Sequence, residues 1–428
     1  MRINSIRLHN FRNIEDTSFD FLDQVALIIG NNDKGKSSLL EGVRLAISTF
    51  MLGLDEPARY HIQEEDVRRV ELAKRFVPQK NTFFEVQGIV SGKVIKWKRT
   101  LARENGRTDY KDATSMIDIA TNSNNQINVE GKDGIDLPVL WYFGTGRLWS
   151  KNRIIRFKKK NSKLKYGYEG SLAINNGRLA ALAWIKANYY LGLKNGKDEN
   201  SMLLDSVLES ISICIPNLTN LEWDLDYDDL AGQYKQDDGA TTYITLNYLI
   251  DGLRSMTAMV AEIAYRCAVL NDHLVRNAVK QSKGVVLIDE IDMHIHPNWQ
   301  KKVIGNLKVA FPNIQFILTS QSPFIVQSVS DKELINLETA IATNPNTLGL
   351  EIGAKDIMGV ESSHSDYYQS YCEKATKYLS LLSNIKEDEK SSTIAKVKKE
   401  LAQIETDFQA DPAYAAFLKL NLLAKLGK

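Results

Sequence analysis

Ala26-Leu27-Ile28-Ile29-Gly30-Asn31-Asn32-Asp33-Lys34-Gly35-Lys36-Ser37-Ser38-Leu39-Leu40 is the stretch that decides the fold. A short apolar run ends on Gly30, a glycine-containing loop follows, and Lys36-Ser37 open a helical pattern. The spacing Gly-x-x-x-x-Gly-Lys-Ser is that of a phosphate-binding loop set between a buried strand and a helix. Glycines let backbone N–H groups face phosphate oxygens, Lys36 can reach the β- and γ-phosphates, and the Ser37 hydroxyl suits Mg²⁺. Gly30, Asn31, Asn32, Asp33, Lys34, Gly35, Lys36, Ser37 and Ser38 are therefore the expected nucleotide-binding residues.

Around that loop, the chain has ordinary globular proportions. Its 428 residues leave room for two or three domains, or for one large head with insertions. Hydrophobic residues make up 43% and charged residues 25%, which excludes a disordered or fibrous chain. A net charge of +1 argues against a globally basic nucleic-acid binder. Cys214, Cys267 and Cys372 lie far apart with no Cys-x-x-Cys pair, against a disulfide framework or cysteine zinc site. No apolar run approaches ~18 residues and no signal-peptide core opens the chain. A cytoplasmic location without a membrane span is the expectation.

Before the loop, residues 1–30 read as two strands around a turn, with Val25–Ile29 feeding the phosphate loop. Residues 37–52 carry apolar positions at helical spacing. Residues 82–90 and 93–99 alternate about Ser91-Gly92, the pattern of a hairpin and an antiparallel lobe. Residues 103–135 are polar and read as a long surface loop. Val139–Arg147 is a strand running into a glycine loop. Residues 151–165 hold eight Lys and Arg and no acid: a solvated face, or a phosphate-backbone contact through which nucleic acid binds. Helices are expected over 179–191, 203–213, 253–270 and 297–309, and strands over 221–227, 243–246, 285–288 and 314–319. Strand–helix alternation from residue 243 onward predicts a parallel α/β core. Residues 367–385, 391–408 and 413–426 read as C-terminal helices, the last opened by Asp411-Pro412.

The second half of the chemistry is Val285-Val286-Leu287-Ile288-Asp289-Glu290. Four apolar residues make a buried strand, and two carboxylates emerge at its C-terminal end, where open α/β sheets bind ligands. Asp289 is placed to hold Mg²⁺ through water or Ser37, and Glu290 to polarise the attacking water, with Lys36 on the phosphates. His294 and His296 stand two apart beside them, and metal ligation is one reading of that spacing.

At this point the chain resembles the ABC ATPases of the RecF, SMC and Rad50 type. Asn10-Phe11-Arg12 resembles their opening, and Leu249–Ser255 lies where they carry the signature motif. Asp289–Pro297 resembles their Walker B and D-loop, and Thr319-Ser320-Gln321-Ser322-Pro323 their switch segment. Trp141–Trp149 and the Asp411-Pro412-Ala413-Tyr414 helix resemble the Septu (PtuA) and retron-associated ATPases of anti-phage systems. The resemblance covers nearly the whole chain. It implies an α/β ABC-type P-loop head with an antiparallel lobe, a helical insertion and C-terminal helices. The corresponding segments are 1–102, 103–240, 241–360 and 361–428. It also implies ATP and Mg²⁺ as cofactors, a homodimer or higher homo-oligomer with sandwiched nucleotides, and a separate HNH nuclease partner of the PtuB kind. Arg12 and Asn13 would lie near the base or ribose, Asp251 and Gly252 would face the partner's nucleotide, and Gln321 would take the switch position. In this resemblance His294 and His296 become D-loop residues.

Three departures stand out. Ile250 occupies the place of the signature serine, Gln321 that of the switch histidine, and no glutamine stands in the Tyr142–Arg147 loop. All three remove groups that sense the γ-phosphate, while the binding and metal groups remain. Tight nucleotide binding with slow hydrolysis follows as the expectation, in a regulatory ATPase of an anti-phage system. The alternative is a RecF-like DNA clamp, which charge reversal in 151–165 would expose. A fused Toprim nuclease has too few residues after about residue 360, and a transporter subunit fits neither the Asn-Phe-Arg opening nor the long middle insertion.

Overall fold

The computed structural model describes residues 1–31, 34–55, 58–148, 163–173, 180–196, 198–236, 238–338 and 343–359, with a few single positions beyond. Asn32, Asp33, most of the basic segment 151–165 and the expected C-terminal helices lie outside the described residues. The chain divides into one unit over Met1–Gly353 and another over Ala354–Lys428.

In chain order, β1 (Arg2–Phe11), β2 (Ile14–Asp20) and β3 (Val25–Ile29) lead into α1 (Lys36–Ile47). An exposed hairpin, β4 (Arg69–Leu72) and β5 (Arg75–Pro78), precedes β6 (Thr82–Val90), β7 (Lys93–Leu101) and the short β8 (Thr108–Asp109). Next come α2 (Thr114–Asn128), β9 (Val139–Phe143), α3 (Lys163–Tyr168), α4 (Ala181–Asn195) and α5 (Glu199–Cys214). Three strands follow, β10 (Leu218–Asp224), β11 (Asp229–Lys235) and β12 (Thr241–Thr245), and then α6 (Asp251–Leu270) and α7 (Ala278–Gln281). The unit is completed by β13 (Gly284–Ile288), α8 (Pro297–Ala310), β14 (Ile314–Thr319), α9 (Pro323–Val326) and β15 (Leu334–Asn336).

The core sheet has the order β15-β3-β14-β13-β9, and each adjacent pair is parallel. β3, β9, β13 and β14 are buried at every residue. Continuous runs of Val, Ile, Leu and Phe suit strands covered on both faces. At ~1.5–3 kcal/mol for each fully buried large aliphatic side chain, this sheet is the main apolar store of the unit. A second, antiparallel sheet has the order β2-β1-β6-β7-β8. Its inner residues Ile6, Leu8, Phe84, Val86 and Trp97 are buried, and α1 lies close against it. A Cβ on Gly42 would stand 2.7 Å from Leu8 Cδ2, which is why a glycine serves there. Trp97 Nε1 donates to Ala46 O at 3.1 Å, and buried Arg99 donates to Leu45 O, Ser48 Oγ and Tyr60 O. Burial pulls the Arg99 guanidinium down to about 10. The two sheets meet through Gln315 of β14, whose side chain accepts from Ile3 N at 2.7 Å and donates to Ile3 O at 2.8 Å.

The parallel core and the antiparallel lobe are as expected from sequence, and two local readings are corrected. Residues 103–135 are not a plain loop, because α2 crosses them. Its Met116 and Ala120 are buried and Gly53 packs on its backbone, a Cβ there standing 2.4 Å from Ile117 O. The strand near residue 243 belongs to an antiparallel sheet, β10-β11-β12, rather than to the parallel core. Its central strand β11 and the hairpin β4-β5 carry too little hydrophobic alternation to stand out in the sequence.

Candidate functional site

The site starts where β3 runs out. Gly30 (φ 147°) and Gly35 (φ 98°) take backbone conformations that L side chains rarely adopt, and they bracket the loop. Gly35 is the N-cap of α1, with no side-chain cap and no acid in the first turn. The first-turn N–H groups and the positive end of the helix dipole therefore remain for an anion. Lys36 folds back over the loop, its Nζ donating to Gly30 O at 2.5 Å and Asn31 O at 3.2 Å. Burial lowers its pKa, opposed by the negative charges of Glu290 and Asp289 facing it. Ser37 is exposed and Ser38 half-buried on the same turn. Asn31 and Lys34 are held by Glu338, just past β15: Asn31 Nδ2 donates at 3.2 Å and Lys34 Nζ stands at 3.9 Å.

The carboxylates arise at the same edge of the sheet. Ile288 is in register with Leu318 of β14 and Phe143 of β9, so the ends of these strands lie side by side. Asp289 N–H donates to Phe143 O at 2.8 Å, which fixes the turn out of β13. Glu290 then takes a left-handed φ of 49°, a conformation costing a non-glycine residue on the order of 1–3 kcal/mol. Thr319, at the end of β14, meets both: its Oγ1 donates to Asp289 Oδ1 at 2.6 Å and accepts Glu290 N–H at 2.7 Å. Gln321 Nε2 reaches Glu290 Oε1 at 3.4 Å. Tyr142 is buried beside them; burial and the Asp289 charge both push its phenol pKa up. Lys36, Asp289, Glu290 and Gln321 thus share one end of the sheet, while Ser37 opens on the adjoining helix turn. Two glycines shaped for close backbone approach, an inward ammonium, an uncapped helix start and a carboxylate pair make a donor set that fits a Mg²⁺-nucleotide.

The remaining expected residues are placed more diversely. Asn13 lies against the loop, its Oδ1 2.9 Å from where a Cβ on Gly35 would be. Arg12 does not reach outward: its Nε donates to Asp66 Oδ1 at 2.9 Å, and Nη2 stands 3.8 Å from Glu41 Oε1. Glu41 in turn pairs with Arg44 inside α1, and Arg44 lies over the Tyr60 and Tyr142 rings. Asp251 is exposed at the start of α6 and pairs with Arg254 at 2.5 Å. Gly252 is buried against the His294 backbone. Ile250 and Tyr248 beside them are 75% and 74% exposed. His296 caps α8, its Nδ1 accepting Asn298 N–H at 3.3 Å. No group of three or more His, Cys, Asp and Glu that could hold a metal occurs among the described residues.

The sequence places Thr319 in the switch segment without a role of its own, and marks neither Gln300 nor Asp66. Gln300 Nε2 donates to Ile295 O at 2.8 Å and Asp292 O at 3.2 Å, and its Oε1 accepts Ser322 Oγ–H at 2.6 Å. It ties the loop after the carboxylates to the segment after β14. Nothing in a one-dimensional pattern marks a glutamine on α8 for that task.

Comparison with known proteins finds relatives over most of the chain. Residues 5–210 match the family model described as an AAA domain. Residues 266–327 match one described as an AAA domain, putative AbiEii toxin, Type IV TA system. The first match contains the phosphate loop, the second Asp289, Glu290 and Gln321. The chain is similar to the retron Vc95 probable ATPase of Vibrio cholerae serotype O1 biovar El Tor, 22% identical over 392 residues, 78% of this chain and 73% of that protein. It is similar to the Septu protein PtuA of Bacillus mycoides strain KBAB4, 24% identical over 345 residues, 78% of this chain but only 40% of that protein. The SMC head domain from Thermotoga maritima matches with a TM-score of 0.40 and 13% identity, over 81% of this chain and 97% of that one.

Proposed function

We propose that this chain, whose residues 5–210 and 266–327 match AAA-domain models and which is similar to a retron probable ATPase and to Septu PtuA, is a regulatory ATPase of an anti-phage defence system. In this reading two copies sandwich ATP and Mg²⁺, and the nucleotide state controls a partner nuclease of the HNH kind. The observation that carries the site chemistry is that Lys36, after β3, faces the charges of Asp289 and Glu290, after β13, at the same edge of the sheet with β14 between the two strands.

Each residue then has a task. The loop N–H groups and Lys36 bind and neutralise the β- and γ-phosphates. Ser37 and Asp289 would hold Mg²⁺, which supplies charge neutralisation on the phosphate oxygens when bound. Glu290 orients and polarises the attacking water. Gln321 hydrogen-bonds the γ-phosphate region without bringing a charge. An exposed Ile250 at the start of α6 offers apolar contact where a hydroxyl would have met a phosphate. Slow turnover follows, as suits a component that reports nucleotide occupancy.

The experiment is Glu290→Gln. Light scattering with ATP and Mg²⁺ should show the variant accumulating as a dimer or larger oligomer that wild type forms only transiently. A variant that associates no more than wild type rejects the sandwich. Steady-state hydrolysis at tens of turnovers per second by the isolated wild-type protein rejects the slow regulatory role.

A further inference from the structure

One residue of β14 grips three consecutive residues of the turn after β13. Thr319 Oγ1 donates to Asp289 Oδ1 at 2.6 Å and accepts Glu290 N–H at 2.7 Å, and Thr319 O accepts Ile291 N–H at 3.0 Å. The direction of these bonds is not arbitrary. A backbone N–H only donates, so the threonine oxygen must accept from Glu290, and its single proton then points to Asp289. Thr319 and Asp289 are both buried, so water does not substitute easily for either partner. The Glu290 backbone at φ 49° is left-handed, and a left-handed non-glycine residue persists only where its surroundings hold it. The Thr319 oxygens supply two of those holds.

We infer that Thr319 is a positioning residue of the site: its hydroxyl fixes the Asp289 carboxylate for Mg²⁺ and holds the turn that aims Glu290 at the water. This rests on the ATPase reading above. It adds a coupling that reading lacks, because Thr319 is two residues from Gln321 on the same chain segment. A shift of that segment displaces the carboxylates with it. An isolated buried threonine at a strand end would have only to fill space, and valine would serve as well. The hydroxyl bonds make the two residues distinguishable.

The test compares Thr319→Val, which keeps the shape and loses the hydroxyl, with Thr319→Ser, which keeps the hydroxyl. Binding of a non-hydrolysable ATP analogue is measured across a Mg²⁺ titration and in EDTA, alongside kcat and KM for Mg²⁺-ATP. The valine variant should need about 10–100-fold more Mg²⁺ for half-maximal tightening and lose a similar factor in kcat, the cost of removing a partner that orients a metal ligand. Its metal-free affinity should stay near wild type, which also certifies the fold, while KM for Mg²⁺-ATP should rise with the weaker metal coupling. The serine variant should recover most of both losses. Thr319→Ala serves the same comparison if the valine variant fails to fold. A valine variant with wild-type Mg²⁺ dependence and kcat overturns the positioning role, and so does a serine variant as impaired as the valine one. Wild-type protein that binds no nucleotide overturns the ATPase reading itself, and this role falls with it. Wild-type binding with an indifferent valine variant overturns the positioning role alone.

Discussion

The backbone of Gly252, in the first turn of α6, lies so close to His294 that a Cβ built on the glycine would stand 2.2 Å from the His294 carbonyl oxygen. His294 itself sits at φ 62° in the loop that follows Asp289 and Glu290. The helix expected to meet a partner's nucleotide therefore rests on the loop leaving this subunit's own carboxylates. Contact between them is backbone against backbone, and neither side can yield by turning a side chain.

That closeness sets the first prediction. Gly252→Ala forces either α6 or the 292–296 loop to move, an overpacking that costs about 1–3 kcal/mol. Urea denaturation should show a lower midpoint for the variant. ATP-dependent oligomer formation should fall as well, while nucleotide binding by the phosphate loop stays close to wild type. An alanine variant with unchanged midpoint and association would show that the loop has slack.

A second prediction concerns Gln321, whose Nε2 lies 3.4 Å from Glu290 Oε1. Gln321→His introduces a group that can carry charge at the same place, with an ordinary pKa near ~6.5. Steady-state ATP hydrolysis should rise by roughly a hundredfold, the lower end of what a placed proton-transfer group contributes. The gain should be larger at pH 6 than at pH 8, because the imidazole is cationic below its pKa, while the wild-type profile lacks that step. A variant no faster than wild type at either pH would place the slow step elsewhere.

Arg12 gives the third. Asp66 is buried, and burial raises its pKa while the Arg12 guanidinium opposes the rise. Removing Arg12 leaves the ionised carboxylate with less compensation, so the Asp66 pKa climbs further. A raised folded-state pKa means stability that is present at low pH and lost as pH rises through that pKa. Arg12→Ala should therefore cost more stability at pH 8 than at pH 5, read from urea midpoints at the two values. Equal losses at both would mean that the guanidinium acts through packing on Phe11.

The phosphate loop and the Asp289-Glu290 strand end could be read from the sequence because both are local. Spacing in the first and an apolar run with two acids in the second carry their meaning without knowledge of neighbours. The strand order β15-β3-β14-β13-β9 could not be read, since each pairing is set by crossovers between distant segments. α2 was hidden because Thr, Ser and Asn give its sequence weak helical character; burial of Met116 and Ala120 on the segment around Gly53 supplies what propensity does not. The partner of Arg12 was hidden for a related reason. The motif marks the residue, but only the fold brings Asp66 from 54 positions away to claim its guanidinium. Thr319 and Gln300 act through bonds between side chain and turn, and such bonds leave no periodic trace.

Gln315 carries one more implication. Its amide reads Ile3 at both ends, one atom accepting and the other donating, so it behaves as a one-residue ruler between two sheets. Sliding β1 by a single position would present a neighbouring residue whose N–H and C=O point the other way, and both ends of the ruler would fail together. The pairing is thus digital rather than graded: the antiparallel lobe is seated or unseated, with no intermediate register. A lobe so fixed leaves the parallel sheet little freedom to shear beneath the phosphate loop.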